Sequence, residues 1–409
     1  MLNQPALKDT LVTQQPTRAP AAPASASADD GPRVPFFSGA ASIRRDWPRL
    51  EPRLRAIAAT GRFTSGEEVA RLEDELCAYT GAGHVALVGS GTDALTLMLR
   101  ATGIGPGDEV IVPAYSFFAT ASSVLHAGAE PVMVDVLPDS YALDPERAAR
   151  AITPATKAIM PVHLFHQTAD MAPLCELAED RGLLLVEDSA EAIGMRVDGR
   201  HAGLFGTAGV LSFFPTKTLG ALGDAGAVLT DDGELDARVR RLRVHGQSAD
   251  GSYEHLELGW NSRADEVQAA VLRTRLEHLD EDIARRAELA ARYDKELSGL
   301  APFLRTPRQA PARRPSNLVW YVYLIETDRR DALVAHLARH GVETEVYYPR
   351  PLPEQPCLAG RRGARHPVPV ATAASRRAVA LPLYPDLTEE QVAYVCSVIR
   401  AFPKDGGGR

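Results

Sequence analysis

The chain has 409 residues, more than one hydrophobic core usually organises, so two domains are expected. Its composition of 45% hydrophobic and 24% charged residues is that of an ordinary globular protein and excludes wholesale disorder. A formal net charge of −8 argues against a nucleic-acid partner, and the lack of any run of about 18 apolar residues argues against a helical membrane span.

Residues 1–33 are rich in Ala, Pro, Ser and Thr and lack the basic-then-apolar layout of a secretion signal, so a disordered tail is expected. Residues 34–248 read as a large domain. In it short β-branched runs alternate with helical patterns: HVALVG (84–89), EVIVP (109–113), PVMVDV (131–136), KAIMPVH (157–163), GLLLVED (182–188), GVLSFF (209–214) and AGAVLT (225–230). Several of these runs are apolar almost throughout, as strands covered on both faces are. Helical segments near 92–101, 168–181 and 234–244 separate them, which predicts an α/β fold with a mostly parallel, seven-stranded sheet. Ligands in such sheets gather beyond the carboxyl ends of the strands.

After Gly246 the pattern changes. A loop leads to one long amphipathic helix over 265–297, then a Pro/Arg-rich link, a strand in NLVWYVYLIET, a helix in RRDALVAHLARHG, the segment VETEVYY and a terminal helix. Residues 249–405 are thus expected to form a smaller α+β domain. Cys77, Cys175, Cys357 and Cys396 are scattered, with no C-x-x-C pair and no metal-ligand spacing. Free thiols in a reducing cytoplasm and no bound metal are the reading. The basic cluster of Arg238, Arg240, Arg241 and Arg243 has the spacing of a solvated helix face.

Four segments carry candidate chemistry. In VGSGTDAL a strand runs into Ser90, Gly91, Thr92 and Asp93 at a helix start. Such a turn offers free N–H groups to a phosphate, although the same residue types also serve as simple caps. In VPAYSFFAT, Phe117 and Phe118 follow a strand, placed either to lie against a planar ring or to fill the core. In LLLVEDSAEAIG, Glu187 and Asp188 end an apolar strand, where a buried carboxylate needs a positive partner such as a pyridinium nitrogen. Capping of the next helix is the structural alternative. In SFFPTKTLGALGDAG, Lys217 follows a strand with Ser212 and Thr216 nearby, a position suited to a Schiff base. Phosphate cradle, stacking ring, acid and lysine occur together in this order.

With these segments the chain resembles the DegT/DnrJ/EryC1/StrS family of sugar aminotransferases, which have the type I fold of aspartate aminotransferase and use pyridoxal 5′-phosphate. The resemblance spans about 61–402 and includes GRFTSGEEVARLEDELCAYTGAGH, SGTDAL, HLFHQTADM, VEDSAEAIG, GWNSRADEVQAAVL, VYYPRPLPEQP and ALPLYPDLTEEQ, with SFFPTKTLGALGDAGAV the most specific block. It implies that Lys217 carries the cofactor and acts in proton transfer, that Asp188 pairs with the ring nitrogen and that Phe117 stacks on the ring. Gly91, Thr92, Asp93 and Ser212 match phosphate contacts. Asn261 matches an asparagine that in relatives reaches the phosphate of the neighbouring subunit, which implies a homodimer with composite active sites.

Two positions depart from the family's pattern. Glu191 stands where glutamine is common, close to the cofactor's 3′-oxygen, so it must be protonated, turned away or paired with a cation. His166 stands in HLFHQ where HLYGQ is usual, and either a substrate contact or packing fits it. His245, Arg263, Tyr348 and Arg350 are the other candidate substrate contacts. The resemblance implies a cytoplasmic enzyme that moves an amino group from glutamate or glutamine to a nucleotide-linked 6-deoxy keto-hexose. A keto-cyclitol is the alternative acceptor. A dehydratase on the same fold would have histidine in place of Lys217, and a non-catalytic sensor or scaffold would have lost part of the set.

Overall fold

The computed structural model describes residues 32–403; the expected tail at 1–33 lies outside them except for its last two residues, which are exposed. In chain order the elements are α1 (Ala40–Thr60), α2 (Glu67–Thr80), β1 (His84–Val88), α3 (Gly91–Ala101), β2 (Glu109–Pro113), α4 (Ala119–His126), β3 (Glu130–Val134), α5 (Pro145–Ala151), β4 (Thr156–Ile159), α6 (Met171–Arg181) and β5 (Leu184–Asp188). A small hairpin of β6 (Arg196–Val197) and β7 (Arg200–His201) follows, then β8 (Ala208–Ser212), β9 (Gly226–Thr230) and α7 (Gly233–Leu242). The remainder holds α8 (Glu266–Leu276), α9 (Leu279–Leu297), β10 (Tyr323–Glu326), α10 (Arg330–Arg339), α11 (Pro369–Arg377), β11 (Ala378–Leu381) and α12 (Glu389–Ala401).

All seven apolar runs become strands of one sheet, ordered β1-β9-β8-β5-β4-β2-β3. Only β9 runs against its neighbours, antiparallel to both β1 and β8. The carboxyl ends of the other six strands therefore open on one edge. Helices cover both faces, which is why β2 and β9 are buried at every residue and read as continuous apolar runs. A second core of α9, β10, α10, β11 and α12 includes Leu289, Tyr293, Tyr323, Leu333, Leu381 and Ile399.

Two expectations for the second half change. The helix foreseen over 265–297 is two helices, α8 and α9. His278 leaves helical geometry at φ −131°, and its ring meets the buried Asp46 at 3.0 Å, where Arg275 also binds. The strand foreseen in NLVWYVYLIET is confined to β10. Upstream of it, Val319 and Tyr321 donate their N–H groups to the carbonyls of His166 and Phe165 and so lace onto the large sheet's loops instead. The strand partner of β10 is β11, antiparallel, with Tyr323 opposite Leu381. VETEVYY contributes only isolated bridges, Val342 with Val34 and Glu345 with Ala380.

Candidate active site

The residues singled out from sequence collect on the sheet edge where six strands end. Ser90 caps α3 from an extended backbone, and its side chain accepts the N–H of Asp93 at 3.1 Å. The first-turn amides of a helix have no intrahelical acceptor, so those of Gly91 and Thr92 are available to a ligand. The turn sits tight on the sheet. A Cβ on Gly91 would come within 2.7 Å of the Ser212 side chain, and one on Gly226 would lie 2.5 Å from the Ser90 backbone. Glycine is required at both places by this close approach. Asp93 spends its amide on Ser90 and its carboxylate on Ser262 Oγ, 2.6 Å away. Ser262 Oγ also accepts the Gly89 N–H at 3.0 Å. The GWNSR loop is thereby tied to the Ser90–Asp93 turn, with Asn261 exposed and Arg263 half-buried on either side of the tie.

Neighbouring acids at the end of β5 have opposite fates, because successive side chains on a strand face opposite ways. Glu187 is fully buried and saturated by the amides of Gly203, Phe205 and Gly206 at 2.6–2.8 Å and by His163 Nε2 at 3.0 Å. It anchors the segment between β7 and β8. Asp188, 4% exposed, faces the site. It accepts from Thr120 Oγ1 at 2.7 Å and the Ala190 amide at 3.3 Å. Burial, only partly offset by these donors, pushes its carboxyl above the usual range. A cationic ring nitrogen is the partner that such a group lacks.

Lys217 lies beyond β8 with its Nζ 3.0 Å from Glu191 Oε1 and 4.3 Å from the centre of the Tyr321 ring. The second Glu191 oxygen accepts the Phe165 N–H at 2.8 Å. Of the three outcomes open to Glu191, pairing with a cation is the one observed. Phe117 is 58% exposed, which excludes the core reading, and its ring lies 6.2 Å from that of Tyr348. Tyr348 is half-buried, with its N–H given to the Tyr115 hydroxyl at 3.0 Å. Arg350 and His245 are exposed, and Arg263 and Arg350 have no ion-pair partner among the described residues.

His166 takes the packing arrangement, one of its two alternatives. It is 3% exposed, its ring stacks on Trp320 at 4.5 Å and 9°, and burial depresses it to about 4. Its ring is committed to packing against Trp320. Sequence reasoning missed Thr120, which orients Asp188 from the first turn of α4, and Tyr321. Neither has a local signal, since both reach the site only through the fold.

The pieces fit the cofactor implied by the sequence: a glycine-lined helix start for a phosphate, a buried acid short of a cation, an exposed aromatic ring and an adjacent lysine. The DegT/DnrJ/EryC1/StrS aminotransferase family model matches residues 48–400. The chain belongs to this family. It is 42% identical over 90% of its length to the pleiotropic regulatory protein of Geobacillus stearothermophilus, 98% of which is covered. It is also 42% identical to the dTDP-3-amino-3,4,6-trideoxy-alpha-D-glucose transaminase of Streptomyces venezuelae, over 91% of this chain and 96% of that one. The crystal structure of S. venezuelae DesV in complex with a ketimine intermediate superposes with a TM-score of 0.85 at 42% identity, covering 90% of this chain and 98% of DesV. The protein is a pyridoxal-phosphate-dependent transaminase with the fold of the family's solved aminotransferases. Among the described residues no helix is long and apolar enough to cross a membrane.

Two of the buried histidines generate a stability prediction. Burial lowers both His166 and His201 from 6.5 to about 4. Above pH 6.5 folded and unfolded forms are both neutral; between 6.5 and 4 only the unfolded chain takes up the protons, so stability falls on acidification. Each histidine accounts for about 1.4 kcal/mol per pH unit in that window. His166→Phe keeps a ring on Trp320 and should flatten the slope of unfolding free energy against pH by about that amount. Urea melts of both proteins at pH 5 and pH 6 check this; equal slopes would contradict a neutral, buried His166.

Proposed function

We propose that the protein transfers an amino group from glutamate or glutamine to the keto group of a nucleotide-linked 6-deoxy hexose, in a homodimer with composite active sites. The observation that carries the chemistry is the convergence of Lys217, Asp188 and the Gly91–Thr92 amides on one sheet edge. In this reading the Gly91 and Thr92 amides and the Ser212 hydroxyl hold the phosphate, with Asp93 fixing the turn through Ser90 and Ser262. Phe117 covers one face of the ring. Asp188, held by Thr120 and the Ala190 amide, keeps a proton on the ring nitrogen. When bound, pyridoxal phosphate supplies an aldehyde that exchanges amines and a ring that accepts the electron pair of a broken C–H bond. Lys217, freed by the incoming donor, moves the proton from the donor carbon, work for an amine on a short tether.

The acceptor rests on two supports. Relatives include the S. venezuelae enzyme, whose name specifies a dTDP-linked amino sugar, and a UDP-N-acetyl-3-dehydro-alpha-D-glucosamine 3-aminotransferase from Acidithiobacillus ferrooxidans. At the site, Arg263 and Arg350 have guanidinium groups without acidic partners among the described residues, as a diphosphate requires. The regulatory name of one relative does not favour a scaffold role here, because the lysine, the acid and the phosphate turn are all intact. Asn261 stands exposed beside the phosphate turn, and the dimer reading has it serve the partner's cofactor.

Two measurements test these assignments. With glutamate as donor, keto-sugar nucleotides should be aminated at least about tenfold faster than keto-cyclitols, the value of one or more charge-assisted contacts to the diphosphate. Preference for the cyclitol would overturn the acceptor. Asn261→Asp places a negative charge near phosphate and should weaken cofactor retention about tenfold or more, measured as the dissociation constant. An unchanged constant would remove Asn261 from the site.

A further inference from the structure

Lys217 cannot stay bonded to the cofactor through a transamination cycle. As the donor enters, one carbon–nitrogen double bond replaces another. With the imine nitrogen protonated before and after the exchange, a donor entering as a neutral amine passes one proton to the lysine nitrogen, which leaves as a neutral amine and becomes an ammonium on taking the proton of the donor carbon, so charge is conserved. The released side chain needs a place that accepts a positive charge within an enclosed site, since an unpaired buried charge is strongly disfavoured.

The structure shows Lys217 in such a place. Its Nζ is 3.0 Å from Glu191 Oε1 and 4.3 Å from the centre of the Tyr321 ring, a carboxylate and an aromatic face directed at one ammonium. Both partners are clipped by the same residue. Phe165 gives its N–H to Glu191 Oε2 at 2.8 Å, and its carbonyl accepts the Tyr321 N–H at 2.9 Å. Phe165 itself has φ +67°, a left-handed backbone that directs these two groups to two different elements. The Tyr321 hydroxyl and Thr216 Oγ1, one residue before Lys217, lie 3.1 Å apart and complete the link. Glu191 and Tyr321 are each 6% exposed, so solvent does not substitute for either.

We infer that Glu191 and Tyr321 form a dedicated resting site to which Lys217 returns whenever it is released, and that this site sets the balance between the lysine-bonded and lysine-free forms of the enzyme. Both are positioning residues in this role. The inference deepens the functional reading above and rests on its assignment of Lys217 as the residue that carries the cofactor. It also accounts for a carboxylate at 191, where an amide is common: a neutral amide cannot pair with the released ammonium.

The test compares two cofactor forms on the same protein. Pyridoxal phosphate bonds to Lys217 and removes it from Glu191, whereas pyridoxamine phosphate leaves the pair in place. Ring and phosphate contacts are common to both and cancel in the ratio of their dissociation constants. In Glu191→Gln, pyridoxal phosphate should tighten relative to pyridoxamine phosphate by roughly ten- to a hundredfold, the value of one charge-assisted hydrogen bond. Tyr321→Leu should shift the ratio in the same direction by about threefold, while Tyr321→Phe, which keeps the ring face, should leave it unchanged. In cofactor-free protein, acetic anhydride should acetylate Lys217 faster in Glu191→Gln than in wild type, relative to the exposed Lys157 as internal standard, read by peptide mass. A ratio of dissociation constants within twofold of wild type in both Glu191→Gln and Tyr321→Leu would overturn the resting site. If wild-type protein gives no imine absorbance with pyridoxal phosphate, it is the assignment of Lys217 that fails.

Discussion

The site is organised around a carboxylate buried at the end of a central strand. Such a group is tolerated only where hydrogen bonds or a cation answer it, and β5 ends in two of them. Pleating sends Glu187 to one face, where three amides and His163 saturate it with protein donors alone. Asp188, on the other face, receives one hydroxyl and one long amide contact, and burial raises its carboxyl accordingly. The difference between the saturated Glu187 and the under-satisfied Asp188 is thus a count of donors. It is also why two adjacent residues of like charge need not share a role.

The Ser90–Asp93 turn depends on a second constraint, the closeness of α3 to the edge of β8 and β9. Gly91 leaves room for the Ser212 side chain, and Gly226 lets its strand meet the Ser90 backbone, where any added side chain would collide. The Ser262 hydroxyl then ties the GWNSR loop to Gly89 and Asp93, so that a loop far along the chain shares the geometry of the turn. Lys217 follows β8 and Asp188 ends β5, neighbouring parallel strands with Asp188 opposite Val210. Strand order alone brings residues 29 positions apart in sequence to one edge.

Much of this was legible in the chain. All seven strands were, because strands buried on both faces leave continuous apolar runs, and so were Lys217, Asp188 and the Ser90–Asp93 turn, each punctuating the end of such a run. The break between α8 and α9 was not, since it depends on His278 reaching the buried Asp46. Helix α1 carries Pro48 and Pro52 in its interior, which mask its pattern. The roles of Glu187 against Asp188, of His166 on Trp320 and of Tyr321 beneath Lys217 required tertiary contacts that no local spacing encodes. Glu191 was visible as an anomaly, and its partner only in the fold.

The chemistry turns first on which lysine bears the cofactor. Borohydride reduction of the holoenzyme followed by peptide mapping should place the phosphopyridoxyl label on Lys217. Label on any of the chain's other lysines, Lys8, Lys157, Lys295 or Lys404, would contradict it.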